Sequence, residues 1–122
     1  MMFTDEEVFD LWREKYDAER VDLAVRIYDE VLVVESGAYE AKGREDNTMR
    51  QQFVQWFATG SPGSEFRFMG TFGFGGKFWD TGRKWHVNYY SENRTPDRDL
   101  AEVLTNQHLA ALAEEVGYGE AR

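Results

Sequence analysis

The chain has two histidines, His86 and His108. They are the first places to look for a general acid or base near neutral pH. His86 alternates with Lys84 and Asn88 in an aromatic-rich run. That spacing puts it on the polar face of a strand, as a solvated imidazole. His108 falls on the flank of a C-terminal helical pattern, where packing at the edge of a core is expected. Neither has further ligands at helical or hairpin spacing, so no metal site is expected. The chain has no cysteine, which removes thiolate nucleophiles, disulfides and zinc–thiolate sites. Gly70, Gly73, Gly75 and Gly76 invite comparison with a phosphate-binding loop. Such a loop needs a strand, a glycine turn and then a helix N-terminus, with Gly-Lys-Ser/Thr. Here another aromatic strand follows, so the glycines read as a bend, a bulge or a close approach of another backbone. The acids of Asp29-Glu30 and Glu114-Glu115 point in different directions on a helix, so such runs do not imply a glycosidase-like carboxylate pair. Ser36, Ser61, Ser64 and Ser91 have no nucleophile motif around them. These patterns point away from an enzyme and imply no cofactor.

Charge is the more informative chemistry. The net charge is −9, with −8 in residues 1–46, +2 in residues 64–95 and −4 in residues 96–122. An acidic surface repels nucleic acid and anionic lipid and attracts a basic protein groove. It also keeps a protein soluble with no partner at all. The carboxylates best placed to meet a protein partner are Asp5, Glu6, Asp10, Glu14, Asp17, Asp22, Asp29 and Glu30. All are expected to face solvent, because an unpaired buried charge is too costly. The rival surface is basic and aromatic. Arg67, Lys77, Lys84 and His86 should share one sheet face with Trp79 and Tyr90, an arrangement suited to holding single-stranded nucleic acid by charge and stacking.

The elements that would position these groups follow from local pattern. One hundred and twenty-two residues, 42% hydrophobic and 16% aromatic, suffice for one domain with a core. The expected division is a helical part over 4–60, β structure over 64–91 and a C-terminal helix over 96–116. Thr4 and Glu7 form a capping box ahead of a first helix carrying Val8, Leu11, Trp12 and Tyr16. A second helix should place Val21, Ala24, Val25, Tyr28, Val31 and Leu32 on one face. A strand hairpin over 23–27 and 31–35 is the alternative, given the Val and Ile content. Residues 36–47 read as a loop. A third helix over 48–58 carries Met49, Phe53, Trp56 and Phe57, and Gly60, Pro62 and Gly63 end it.

Phe66, Phe68, Phe72, Phe74 and Phe78 all occupy even positions, which puts every ring on one face of extended chain. Asp80-Thr81-Gly82-Arg83 reads as a turn, and a two-residue turn there sets Phe78 opposite Trp85, with Val87 and Tyr89 on the same face. Thr95 and Pro96 start the last helix, with Leu100, Val103, Leu104 and Ala111 along it and Gly117 as its C-cap. The fold class is therefore α+β, with N-terminal helices and a C-terminal helix packed on one aromatic face of a small antiparallel sheet.

Residues 8–35 resemble one tetratricopeptide helix pair, with Leu11, Ala24, Tyr28 and Leu32 where that repeat packs its helices. Trp12 replaces its small residue, Ser36 replaces its closing proline, and no second copy follows, so the likeness supports a helical hairpin only. The run FMGTFGFGGKFWDTGRKWHVNYYSENRTPDRD, within residues 65–112, resembles a segment of small accessory proteins of actinobacterial phages. That resemblance implies a phage accessory protein and carries no catalytic residues.

The expectation is an acidic, non-enzymatic interaction protein or inhibitor. It would bind a host or phage protein through its acidic helices, by mimicry of nucleic-acid charge in one form. The alternative is a single-stranded nucleic-acid-binding module. No run reaches the length of a membrane span. The N-terminus lacks a basic-then-apolar leader, so the chain is expected in the cytoplasm, the host's if phage-encoded. The sequence names neither the partner nor the oligomeric state.

Overall fold

The computed structural model describes residues 3–36, 48–60, 63–69, 75–90 and 96–119. Helix α1 runs Asp5–Lys15 behind the Thr4–Glu7 capping box, which forms in both directions. Asp17 caps α2, Ala18–Ile27, by accepting from the Glu19 and Arg20 amides. The two form a helical hairpin. In place of the alternative strand hairpin, α2 continues into a π-helical segment, Tyr28–Ser36. Ser36, expected in a loop, is buried at the end of that segment with its hydroxyl donating to the Leu32 carbonyl. The expected loop over 37–47 lies outside the described residues, as do Gly70, Phe72, Gly73, Phe74 and Thr95. Helix α3 spans Thr48–Thr59 and ends at Gly60.

Strands β1 (Glu65–Met69), β2 (Gly75–Asp80) and β3 (Trp85–Tyr90) form an antiparallel meander in that order. Phe66, Phe68, Phe78, Trp85, Val87 and Tyr89 are all buried on one face. The face is as expected, but the hairpin register is not. Phe78 lies opposite Val87, and Asp80 lies opposite Trp85. The Thr81 amide donates to the Lys84 carbonyl, so Gly82-Arg83 is the tip. The pairing moves by two residues, which preserves side-chain parity and leaves the buried face unchanged.

Helix α4, Pro96–Val116, lies along β3 and the π segment. It closes on Gly117, where the Gly117 amide donates to Glu114 and the Tyr118 amide to Ala113, satisfying two terminal carbonyls. Its side chains also finish the sheet edge. The Asn106 carboxamide accepts from the Val87 amide at 2.9 Å and donates to the Val87 carbonyl at 3.0 Å. Glu102 accepts from the Tyr89 amide at 2.7 Å. Side chains thus stand in for a fourth strand, and this edge is not free to pair.

The buried side chains form one cluster between the helices and the sheet. The inward faces of two helices differ from expectation. In α1, Phe9 is buried and Leu11 is exposed. In α4, Ala101, Thr105, Leu109, Leu112 and Ala113 face inward, whereas Leu100, Val103, Leu104 and Ala111 face out. Ile27 and Val54 join the core as well. Helix α4 is apolar on both sides, so periodicity alone does not decide which side is buried.

Gly76 has a packing reason. It pairs with Phe68 on one side and Tyr89 on the other, and those two rings meet edge to face at 5.9 Å. A Cβ on Gly76 would lie 2.7 Å from both rings, whereas one on Gly75 would sit 3.5 Å from its nearest neighbour. The closest approach is to aromatic side chains, and the Asn88 backbone carbonyl is near as well, at 3.2 Å. Gly76→Ala should therefore cost about 1–3 kcal/mol by overpacking. Gly75→Ala should be close to neutral, and urea unfolding of the pair distinguishes them.

Candidate functional site

The acidic helices hold their carboxylates in ion pairs more than the sequence suggests. Arg50 of α3 reaches Asp5 at 2.7 Å and takes Asp29 in a two-point grip at 2.6 and 2.9 Å. Asp5 is buried and also accepts from the Gln51 amide group. The expectation that all eight acids face solvent fails at Asp5, because Arg50 and Gln51 compensate the burial. Arg13 bridges Asp10 and Asp22 at 2.8 and 2.7 Å. Arg26 bridges Glu30 and Glu115 at 2.7 and 3.1 Å, and the Arg26 hydrogen bond holds the Glu30 carboxyl below the usual range. Asp17 is used as a cap. Glu6 and Glu14 stand exposed and make no ion pair with described residues. Each arginine is shared by two acids, so the surface remains negative. Residues 5–35 carry 11 acids and 4 bases.

Removing Arg50 should leave the buried Asp5 carboxylate without the Arg50 cation that pairs with it. Arg50→Met should cost about 3–5 kcal/mol, and adding Asp5→Leu should recover much of it. The exposed Asp10→Asn should cost no more than about 1 kcal/mol by the same denaturant measurement.

The outer sheet face brings together the expected basic and aromatic residues. Trp79 sits opposite His86 with ring centres 4.5 Å apart, and Lys77 lies 5.1 Å over the Trp79 ring. Arg67 and Tyr90 are exposed on the same face, and Lys84 is exposed in the hairpin turn rather than in a strand. Glu65, which the sequence reading passed over, interrupts the basic character. It pairs with Lys77 at 3.3 Å and Arg67 at 3.2 Å. Burial pushes the His86 imidazole down, and Lys84 pushes it further, against a smaller opposing pull from Glu102. His86 should therefore titrate below the ordinary 6.5 in an NMR titration. Lys84→Gln should restore only part of the difference, since burial is the larger cause. A depressed imidazole is neutral in the folded state and protonates first when unfolded. Its contribution is thus fully present above 6.5 and is lost as pH falls below it. His108, exposed rather than packed at a core edge, pairs with Glu35 at 2.9 Å.

Two further features lie outside the expected sites. The first is the outward face of α4. Leu100, Val103 and Leu104 are 56%, 51% and 36% exposed, and Gln107, Ala110 and Ala111 continue the same face. The second is a cleft of about 290 Å³ where α2, the end of α3 and the β2–β3 turn meet. Arg20, Trp56, Phe57, Gly60, Asp80 and Gly82 are among its walls. A smaller concavity of about 190 Å³ adjoins it and shares Ser64 and Asp80. Sequence offers no local signal for the cleft, because Arg20 and Asp80 are 60 positions apart.

Among the described residues no group of three or more acids and histidines is placed to hold a metal ion. No described helix is long and apolar enough to cross a membrane. The chain matches no known family model, no curated protein and no solved structure.

Proposed function

We propose that this is a non-enzymatic protein-binding domain that holds a basic, amphipathic helix of another protein along the outer face of α4. The observation that carries the reading is the apolar strip itself. Leu100, Leu104, Gln107 and Ala111 succeed each other at spacings of four, three and four, the rhythm of a helix–helix seam. A helix apolar on both sides is normally buried on both, and no described residue covers this one. Small residues at Ala110 and Ala111 allow a partner helix to approach closely.

Charge selects among occupants. Helix α4 carries five acids, Asp97, Asp99, Glu102, Glu114 and Glu115, and one base, Arg98. A second copy would set acid against acid in either orientation. A partner with lysines or arginines flanking its apolar residues would be matched, and the net charge of −9 would raise its encounter rate. The exposed acids Glu6, Asp10, Glu14 and Asp22 contribute to that long-range attraction. Asp5 and Asp29 are bound to Arg50 and serve the fold. A phage accessory protein or inhibitor acting on a host or phage protein fits this surface. Nucleic-acid mimicry has less support, since Arg13, Arg26 and Arg50 already occupy many of the carboxylates. Nucleic-acid binding by the sheet face is likewise weakened where Glu65 answers Lys77 and Arg67.

A designed helical peptide with leucines at heptad positions and flanking lysines is the direct probe. It should bind the full chain, weaken with added salt, and lose at least tenfold in affinity to Leu104→Glu at an unchanged melting temperature. A glutamate-flanked version of the peptide should not bind. Equal binding of both peptides, indifference to Leu104→Glu, or a Leu104-dependent homodimer in light scattering would each overturn the assignment.

A further inference from the structure

We propose that the cleft beside the β2–β3 turn is a binding site for a small, uncharged heteroaromatic ring that carries adjacent hydrogen-bond acceptor and donor groups, the lactam edge of a nucleobase being the type. The inference stands on how Arg20 and Asp80 are held. The Arg20 guanidinium lies over the Phe57 ring, 4.2 Å from its centre. Its Nε donates to the Phe57 carbonyl at 2.7 Å. Ring and carbonyl together fix the plane of the group, and Nη2 is directed toward Asp80. Asp80 is equally constrained. Its Oδ1 accepts from the Gly82 amide at 2.7 Å and from the Tyr118 hydroxyl. Tyr118 is itself stacked on Trp85, at 4.5 Å and 17°. Oδ2 then faces Arg20 Nη2 at 4.0 Å, beyond hydrogen-bond range.

A positioned donor and a positioned acceptor stand side by side without closing on each other. That spacing suits a ligand edge with a carbonyl next to an N–H. The carbonyl would accept from Arg20 and the N–H would donate to Asp80. Asp80 opposes an anion and Arg20 opposes a cation, so the favoured ligand is neutral. Trp56 has its one donor satisfied by Ser64 Oγ at 2.9 Å, so it offers only ring surface to the cleft. About 290 Å³ is at the small end of ligand pockets and suits one or two fused rings. The site shares no residue with the strip on α4.

The test is titration of the ¹⁵N-labelled full chain with uracil, 1,3-dimethyluracil and benzoate. Uracil should give saturable shifts at the Gly60 and Gly82 amides and the Trp56 indole. Dimethyluracil keeps the ring and loses the N–H donor, and should bind at least tenfold more weakly. Benzoate should bind no better than dimethyluracil. Gly60 has a left-handed backbone at φ 60, which asparagine tolerates. A side chain there starts 3.9 Å from Arg20 Nε, so Gly60→Asn should fill the cleft and abolish the shifts at an unchanged melting temperature. Arg20→Lys retains the charge and loses the fork, and should weaken uracil at least tenfold. Absence of saturation by about 10 mM uracil, a dissociation constant above the millimolar range, would overturn the site. So would equal binding of dimethyluracil, tighter binding of benzoate, or shifts that survive both variants.

Discussion

The contact on which the rest depends is the Phe53 ring against the sheet. It meets Phe66 at 5.3 Å and Phe78 at 5.2 Å, edge to face in both cases, and also touches Tyr28, Trp56 and Phe57. One side chain of α3 therefore joins the π segment, its own helix and two strands. Edge-to-face pairs add roughly 0.5–1.5 kcal/mol each beyond area burial. More important is what they fix. Two T-shaped contacts at once define both the distance and the rotation of α3 over β1 and β2. The cleft at the end of α3 and the ion pairs of Arg50 at its start inherit that placement.

Electrostatics then arrange the helices around this centre. Arg50 stands with its guanidinium 5.0 Å over Phe9 and holds Asp5 and Asp29, tying α1 and the π segment to α3. Arg26 and His108 lace α2 and the π segment to α4 through Glu115 and Glu35. The most acidic stretch of the chain is therefore also the one whose helices are cross-linked by shared arginines. A group that looks like a binding surface in the sequence is, at Asp5 and Asp29, part of the scaffold.

Local chemistry made much of this legible. The Thr4–Glu7 capping box, Pro96 at a helix start and the shared face of Phe66, Phe68 and Phe78 each rest on neighbours in sequence, and each holds. The hairpin register did not follow from the turn residues, because Asp80-Thr81-Gly82-Arg83 accommodates either Thr81-Gly82 or Gly82-Arg83 as its tip. The buried face did follow, since a two-residue shift preserves parity. Leu11 and Phe9 show the limit of periodicity in a short helix: both fit a stripe, and the tertiary contact with Arg50 of α3 selects Phe9. The polar sheet face was legible residue by residue, but the pairing of Glu65 with Lys77 and Arg67 depends on the strand register, which the sequence does not fix. The cleft depends on pairs distant in sequence, and nothing local marks it.

The position of α4 links the fold to the proposed binding face. Its inner face must complete the core with Leu109 and Leu112, and its flank must satisfy the β3 edge through Asn106 and Glu102. Those backbone contacts fix the helix in rotation as well as in place, because a turn of the helix would strand the Val87 and Tyr89 amides without acceptors. The outer strip of Leu100, Val103 and Leu104 is consequently presented at a set angle on a rigid support. A partner helix meeting it would find the seam already ordered and lose only its own conformational freedom. The same two side chains that protect the sheet edge from indiscriminate strand pairing thereby leave the opposite side of the helix as the face open to a partner. A partner docking there would be selected by apolar spacing and flanking charge rather than by open backbone groups.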